Sequence, residues 1–239
     1  MKSKFGRCTR YMGLGLAVLA ATAFAQQDGG GKPELQEQIA ALKKSMAQSQ
    51  QTLRQYTWTE TTQVSLKGET KSTTQASCQY AADGKVVKTP IDTTPPPPQK
   101  QPKGLKGKVV ANKKEEMSDY MKSAVALIQR YVPPDASRMQ EAFKAGKAEM
   151  QPSAGGVVTL VFHDYAKPGD TLSLAINGQT NTMQGVSVKS YLDDAKDAVN
   201  LTVRFANLPD GANYVAETVL DATAKQMQVR TTNSGYRKL

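Results

Sequence analysis

The chain of 239 residues holds one histidine, one tryptophan and two cysteines. A single histidine excludes a multi-histidine metal site and an HExxH helix. His163 stands in Val161-Phe162-His163-Asp164-Tyr165, a strand pattern that turns Asp164 to the opposite face. A serine–histidine pair stays geometrically open, but no GxSxG elbow supports it; Gly185-Val186-Ser187-Val188-Lys189 comes nearest and ends in lysine. The GxxxxGK[ST] phosphate loop is also missing. No stretch is rich in the aromatics of a sugar-binding groove, and the sequence places no carboxylate pair for glycoside cleavage. We therefore expect a non-enzyme without metal or cofactor. Beyond the first 27 residues, no apolar run approaches the roughly 18 residues of a membrane-crossing helix.

What is present begins with a leader. Lys2, Lys4, Arg7 and Arg10 precede an apolar run from Met12 to Phe24, and Ala23-Phe24-Ala25 stands before Gln26. That is the pattern of a secretory signal peptide over 1–25, cleaved near Ala25, which predicts a periplasmic or secreted protein. The competing assignments are an uncleaved anchor and a lipoprotein signal, although a lipoprotein cysteine would follow the apolar run and Cys8 precedes it. Cleavage leaves Cys78 as the sole thiol and forbids an internal disulfide. Its alternating context makes it a buried strand residue; the alternatives are a reactive thiol or a link between copies. The leader takes four basic residues and no acidic one, so the formal charge of +10 falls by four. The remaining excess suits peripheral contact with an anionic envelope surface and excludes a concentrated nucleic-acid footprint.

Residues 26–32 are a glycine-rich spacer, and 33–239 read as a single domain. From Pro33, the residues Leu35, Ile39, Leu42, Met46 and Leu53 form one apolar stripe on a helix. At Tyr56 the period becomes two. Tyr56, Trp58, Glu60, Thr62, Val64 and Leu66 share one face, and Thr57, Thr59, Thr61, Gln63 and Ser65 the other. Glu60 is the one acid on its face, so either that strand edge is wet or Glu60 pairs with a buried base or a ligand group at a cavity mouth. Lys67-Gly68-Glu69 and Asp83-Gly84 turn the chain into two more strands ending at Ile91. Residues 93–112 form a Pro/Lys-rich, extended excursion. It is either a solvated linker or a contact with anionic lipid head groups or cell-wall polymer.

Residues 113–150 read as an inserted helical lid. Met117, Tyr120, Met121, Ala124, Val125, Ile128, Tyr131 and Val132 form an apolar face, with Glu115, Glu116 and Asp119 in the first turn, where the helix dipole favours acids. Pro133-Pro134 stops this helix, and Asp135 caps a second that carries Met139, Ala142 and Phe143. The remainder alternates as strands, with Asn177-Gly178 a two-residue hairpin signal. The fold class is α+β: a strongly curved antiparallel sheet of about nine strands, an unclosed β-barrel, covered by the N-terminal helix and the helical hairpin. Flexible Met117, Met121, Met139 and Met150 favour an apolar ligand in the cleft, the alternative being a cleft filled by side chains.

The amphipathic helix, the run LRQYTWTETTQVSLKGETK, the lid, and closing strands ending in YVAETVLDATAKQMQVRTTNSGYRKL resemble the layout of periplasmic lipoprotein carriers and outer-membrane lipoprotein receptors (LolA/LolB-like). The resemblance implies a cavity for acyl chains walled by Tyr56, Trp58, Met117, Met121, Ile128, Met139 and Phe143. The chain departs from that family in its Pro/Lys-rich excursion and its polar second strand, Thr70 to Gln79. The expected function is an exported, monomeric envelope protein that binds or carries a lipid or lipoprotein acyl chain. Its alternative is a non-enzymatic interaction module with a filled cavity, contacting cell-wall polymer or a protein partner through its basic segment.

Overall fold

In the computed structural model, which describes residues 33–91 and 105–239, every strand pairs antiparallel within one sheet. Helix α1 (Pro33–Leu53) leads into β1 (Tyr56–Leu66), β2 (Glu69–Tyr80) and β3 (Val86–Ile91). Helices α2 (Leu105–Ile128) and α3 (Ala136–Lys144) follow. The chain then runs through β4 (Ala148–Pro152), β5 (Val157–His163), β6 (Thr171–Asn177), β7 (Thr182–Tyr191), β8 (Ala198–Asn207), β9 (Asn213–Ala222) and β10 (Met227–Lys238). Spatial order is β3-β2-β1-β10-β9-β8-β7-β6-β5-β4, which leaves β3 and β4 as free edges and the sheet open. The closing contact of the meander is β1 against β10, from Tyr56 opposite Lys238 to Leu66 opposite Met227. Register shifts in the β1–β10, β1–β2, β6–β7 and β8–β9 pairs bend the sheet.

The α+β class holds, with ten strands where about nine were expected. The additional strand is β4, which the sequence placed inside the helical lid 113–150. Gly146, at φ 68, breaks the chain after α3, and Ala148 to Pro152 pair with β5. Met150 is therefore an edge-strand residue, 51% exposed, and no part of a helical surface. Helix α2 also starts earlier than expected, at Leu105, inside the segment 93–112 read as extended. Glu115, Glu116 and Asp119 thus sit in mid-helix, away from the positive end of the dipole, and Glu116 pairs with Lys225 at 2.7 Å instead. Asn177-Gly178 opens a longer loop than a two-residue hairpin: Asn177 pairs with Thr182, and its side chain accepts from the N–H groups of Gln179 and Thr180. Asp135 caps α3 as expected, accepting from Ser137 and Arg138. The signal peptide 1–25, the spacer 26–32 and residues 93–104 of the excursion lie outside the described residues.

The core sits under one half of the sheet. Helix α1 lies over β7 and β9, and α3 packs on β4 and β5. The last turns of α2 bury Ala124, Val125 and Ile128 among Phe162, Leu172, Val188 and Leu201. Each such valine, leucine, isoleucine or phenylalanine removed from water contributes about 1.5–3 kcal/mol. Tyr131, fully buried just after α2, donates its hydroxyl to Asp170 and receives that of Ser190 at 2.7 Å. Asp170 also accepts from the backbone N–H groups of Ala166 and Lys167. The end of α2 is thereby tied to the β5–β6 turn by a fully satisfied polar group set.

Candidate functional site

On the inner face of the other half, at its Tyr56 end, Leu53 of the last turn of α1 faces the strands. On β1, Tyr56, Trp58 and Glu60 alternate onto this face; Trp58 lies opposite Cys78 of β2, which lies opposite Lys88 of β3. On β10, Asn233 faces Glu60, so strict alternation would bring residue 235 to this face and send Tyr236 to the other. A bulge reverses that parity. Opposite the single residue Trp58, β10 places two residues, and the extra one is Gly235 at φ 65, a left-handed conformation that suits glycine. Tyr236 consequently stacks on Trp58, with ring centroids 5.5 Å apart and planes 13° from parallel. Tyr80 sits 5.4 Å from Trp58, and Tyr214 sits 4.4 Å from Tyr236.

These rings, with Leu53 of α1, Val86 and Lys88 of β3, and Val215 of β9, line a cavity of about 70 Å³. Its polar wall is Glu60, Asn233, Thr218 and Thr231. Such a volume admits a few waters or a small polar group, well under the roughly 300–1,000 Å³ of a pocket that holds a whole small ligand. Lys88 donates to both oxygens of Glu60, at 2.6 and 2.7 Å, and the two side chains are only 21% and 13% exposed. Glu60 is thus explained by a paired base at a cavity mouth and not by a wet edge. Asn233 accepts from the Trp58 indole N–H at 3.2 Å and donates to the carbonyl of Val215 at 2.9 Å, fixing the indole in its plane.

Burial lifts the hydroxyls of Tyr80 and Tyr236 above their ordinary range, so both remain neutral. Cys78 is fully buried beneath the pair; burial first, and then the Glu60 charge, push its thiol up to about 11. That is an inert strand thiol. At the end of the cleft, Tyr56 donates to Asp210 at 2.5 Å, which holds the Asp210 carboxyl below its ordinary value.

The seven residues that the lipoprotein-carrier resemblance assigned to a cavity wall fall in three places. Trp58 lines the aromatic cavity, whereas Tyr56 lies outside its lining and meets Tyr236 edge-on at 6.3 Å. Ile128 lies in the core between the helices and the strands β5 to β8, with Met121, Met139 and Phe143 packed against it; Phe143 meets Phe162 edge-on at 5.4 Å. Met117 is half-buried on α2. Sequence reasoning missed Tyr80, Tyr214, Tyr236, Asn233 and Lys88. The Asp83-Gly84 turn carried one usable signal: it sets Tyr80 opposite Val86, and counting back along both strands puts Lys88 opposite Cys78. The strand-end positions of the three tyrosines gave no hint of convergence.

His163 is 44% exposed and meets Glu149 at 3.2 Å across the β4–β5 edge. Among the described residues, no group of three His, Cys, Asp or Glu side chains is arranged to hold a metal ion, and no helix is long and apolar enough to cross a membrane.

No protein-family model and no curated protein matches the chain. Two solved structures are similar in fold. One is a LolA superfamily protein from Nitrosomonas europaea, at TM-score 0.36 and 8% identity, covering 83% of this chain and 93% of that one. The other is a DUF1329 family protein from Desulfovibrio piger, at TM-score 0.39 and 9% identity, covering 86% and 93%. The likeness is one of fold, and no residue role is carried over from it.

Proposed function

We propose that this is an exported, non-enzymatic protein that binds an amphiphile, a lipid or a lipoprotein acyl chain, at the aromatic cleft between β1, β3, β9 and the end of α1. The observation that carries this reading is the cavity walled by Trp58, Tyr80, Tyr214, Tyr236 and Leu53, none of them part of the packed core cluster. Aromatic and aliphatic walls gain about 25 cal/mol for each Å² of apolar surface they remove from water. The cavity of about 70 Å³ takes one end of such a ligand, so accommodating a chain requires the mouth to widen. Leu53, at the last residue of α1, and the edge strand β3 flank that mouth and are its natural moving parts. Met121, Ile128, Met139 and Phe143 meet a ligand only when α2 and α3 shift off the sheet, since all four are engaged in the core.

Native mass spectrometry of the gently purified protein, followed by organic extraction, tests the reading. A lipid or acyl species near one per chain supports it. A clean apo mass, together with refusal of added short-chain phospholipid, overturns it. The packed covered half, with Tyr131, Phe162 and Leu172 fully buried, favours the second reading of an interaction module working through the basic segment 93–112. That reading expects salt-sensitive adsorption to cell-wall polymer and no bound lipid.

A further inference from the structure

We propose that the cleft selects a zwitterion, an ammonium joined to a phosphate diester as in the head of a neutral phospholipid, by parting the Glu60–Lys88 pair around it. The inference rests on the lipid reading above and names the end of the ligand that enters once the pair parts and the mouth widens.

Three observations meet at this point. The pair closes on itself at 2.6 and 2.7 Å, both partners are mostly shielded from water, and both line the cavity that Trp58 and the tyrosines wall. A ligand with one charge would satisfy one partner and leave the other shielded and unpaired, which is an expensive state. Fatty acids and acidic phospholipids would bind Lys88 and orphan Glu60. A ligand carrying both signs exchanges one ion pair for two. Its ammonium meets the Glu60 carboxylate beside aromatic rings, which attract cations within about 6 Å of their centroids. Its phosphate meets the Lys88 ammonium, with the hydroxyls of Thr218 and Thr231 in the same wall. Leu53, Val86 and Val215 then face the first carbons of the chains.

Trp58 is the only tryptophan, so intrinsic fluorescence reports this cavity directly. The purified protein is titrated below micelle formation with dihexanoyl phosphatidylcholine, with dihexanoyl phosphatidylglycerol, and with glycerophosphocholine, the head without chains. We expect the phosphatidylcholine to bind at least about tenfold more tightly than the phosphatidylglycerol. The double substitution Glu60→Gln with Lys88→Met, which leaves no unpaired charge, is expected to erase that ratio while chain binding persists. Equal affinities for the two lipids in the unsubstituted protein overturn the head-group inference and leave the lipid reading intact. Binding of neither lipid, with no response to the free head, overturns both. Glycerophosphocholine binding as tightly as the lipid supports zwitterion recognition and overturns the lipid reading. The unsubstituted ratio decides the matter even where the double variant does not fold.

Discussion

One row of side chains crosses the inner face of the sheet and compares its two halves directly. From β4 to β8 it reads Met150, Leu160, Leu174, Val186 and Val203; from β9 to β2 it continues as Thr218, Thr231, Thr62 and Thr74. The backbone pairing is continuous, yet the chemistry changes at one strand boundary. Threonine keeps the β-branched shape that suits a strand while adding a hydroxyl that resists dry burial. Helices settle on the aliphatic half, where Leu160, Leu174, Val186 and Val203 are at most 5% exposed. On the threonine half the row stays half-buried, and the aromatic cleft occupies its end. A well-packed half holds the fold, which frees the other to keep an incompletely filled face.

The comparison breaks most easily by cutting the same row on each side of the boundary. Leu174→Ala is expected to lower stability in urea unfolding by about 2–5 kcal/mol. Thr62→Ala, which removes a 3.3 Å contact with Thr231, should cost about 0.5–1.5 kcal/mol. Equal losses would mean that the two halves carry the fold alike. A medium effect is expected at the bulge. Gly235→Val forces a branched residue into positive φ at about 1–2 kcal/mol, and it should also shift Trp58 emission because Tyr236 loses its seat. Gly169→Val, at φ 79 in the β5–β6 turn of the covered half, should show a similar loss with unchanged emission. The smallest effect concerns acid. The Asp210 carboxyl is held below its ordinary 3.8, chiefly by the Tyr56 hydroxyl, so its stabilisation is present above that value and fades as pH falls through the lower one. Trp58 fluorescence should therefore change below about pH 4 before the far-ultraviolet circular dichroism does, and Asp210→Asn should remove the early change.

Much of the fold was legible locally. Period-two alternation from Tyr56 gave β1 and the shared face of Trp58 and Glu60, and Asp135 marked the start of α3. Strand β4 was not legible, because Ala148 to Pro152 is short and follows directly on a helix; only its pairing with β5 makes it a strand. The early start of α2 was hidden by Gly104 and Gly107 beside the prolines, which read as breakers. Among the site residues, Trp58 and Glu60 were placed on one face by the alternation of β1, whereas no local pattern set Lys88 or Tyr236 apart.

By itself, the sequence determined the periods, the aliphatic and threonine-rich strands, and the apolar stripes of the helices, since each depends on neighbours a few residues apart. Tertiary structure alone decided that β1 lies against β10, that the Gly235 bulge turns Tyr236 onto Trp58, and that Lys88 reaches Glu60 across β2. Alternation states which residues share a face of one strand, but which strands are neighbours, and where a register slips, is settled by the summed pairing and burial of segments far apart in the chain.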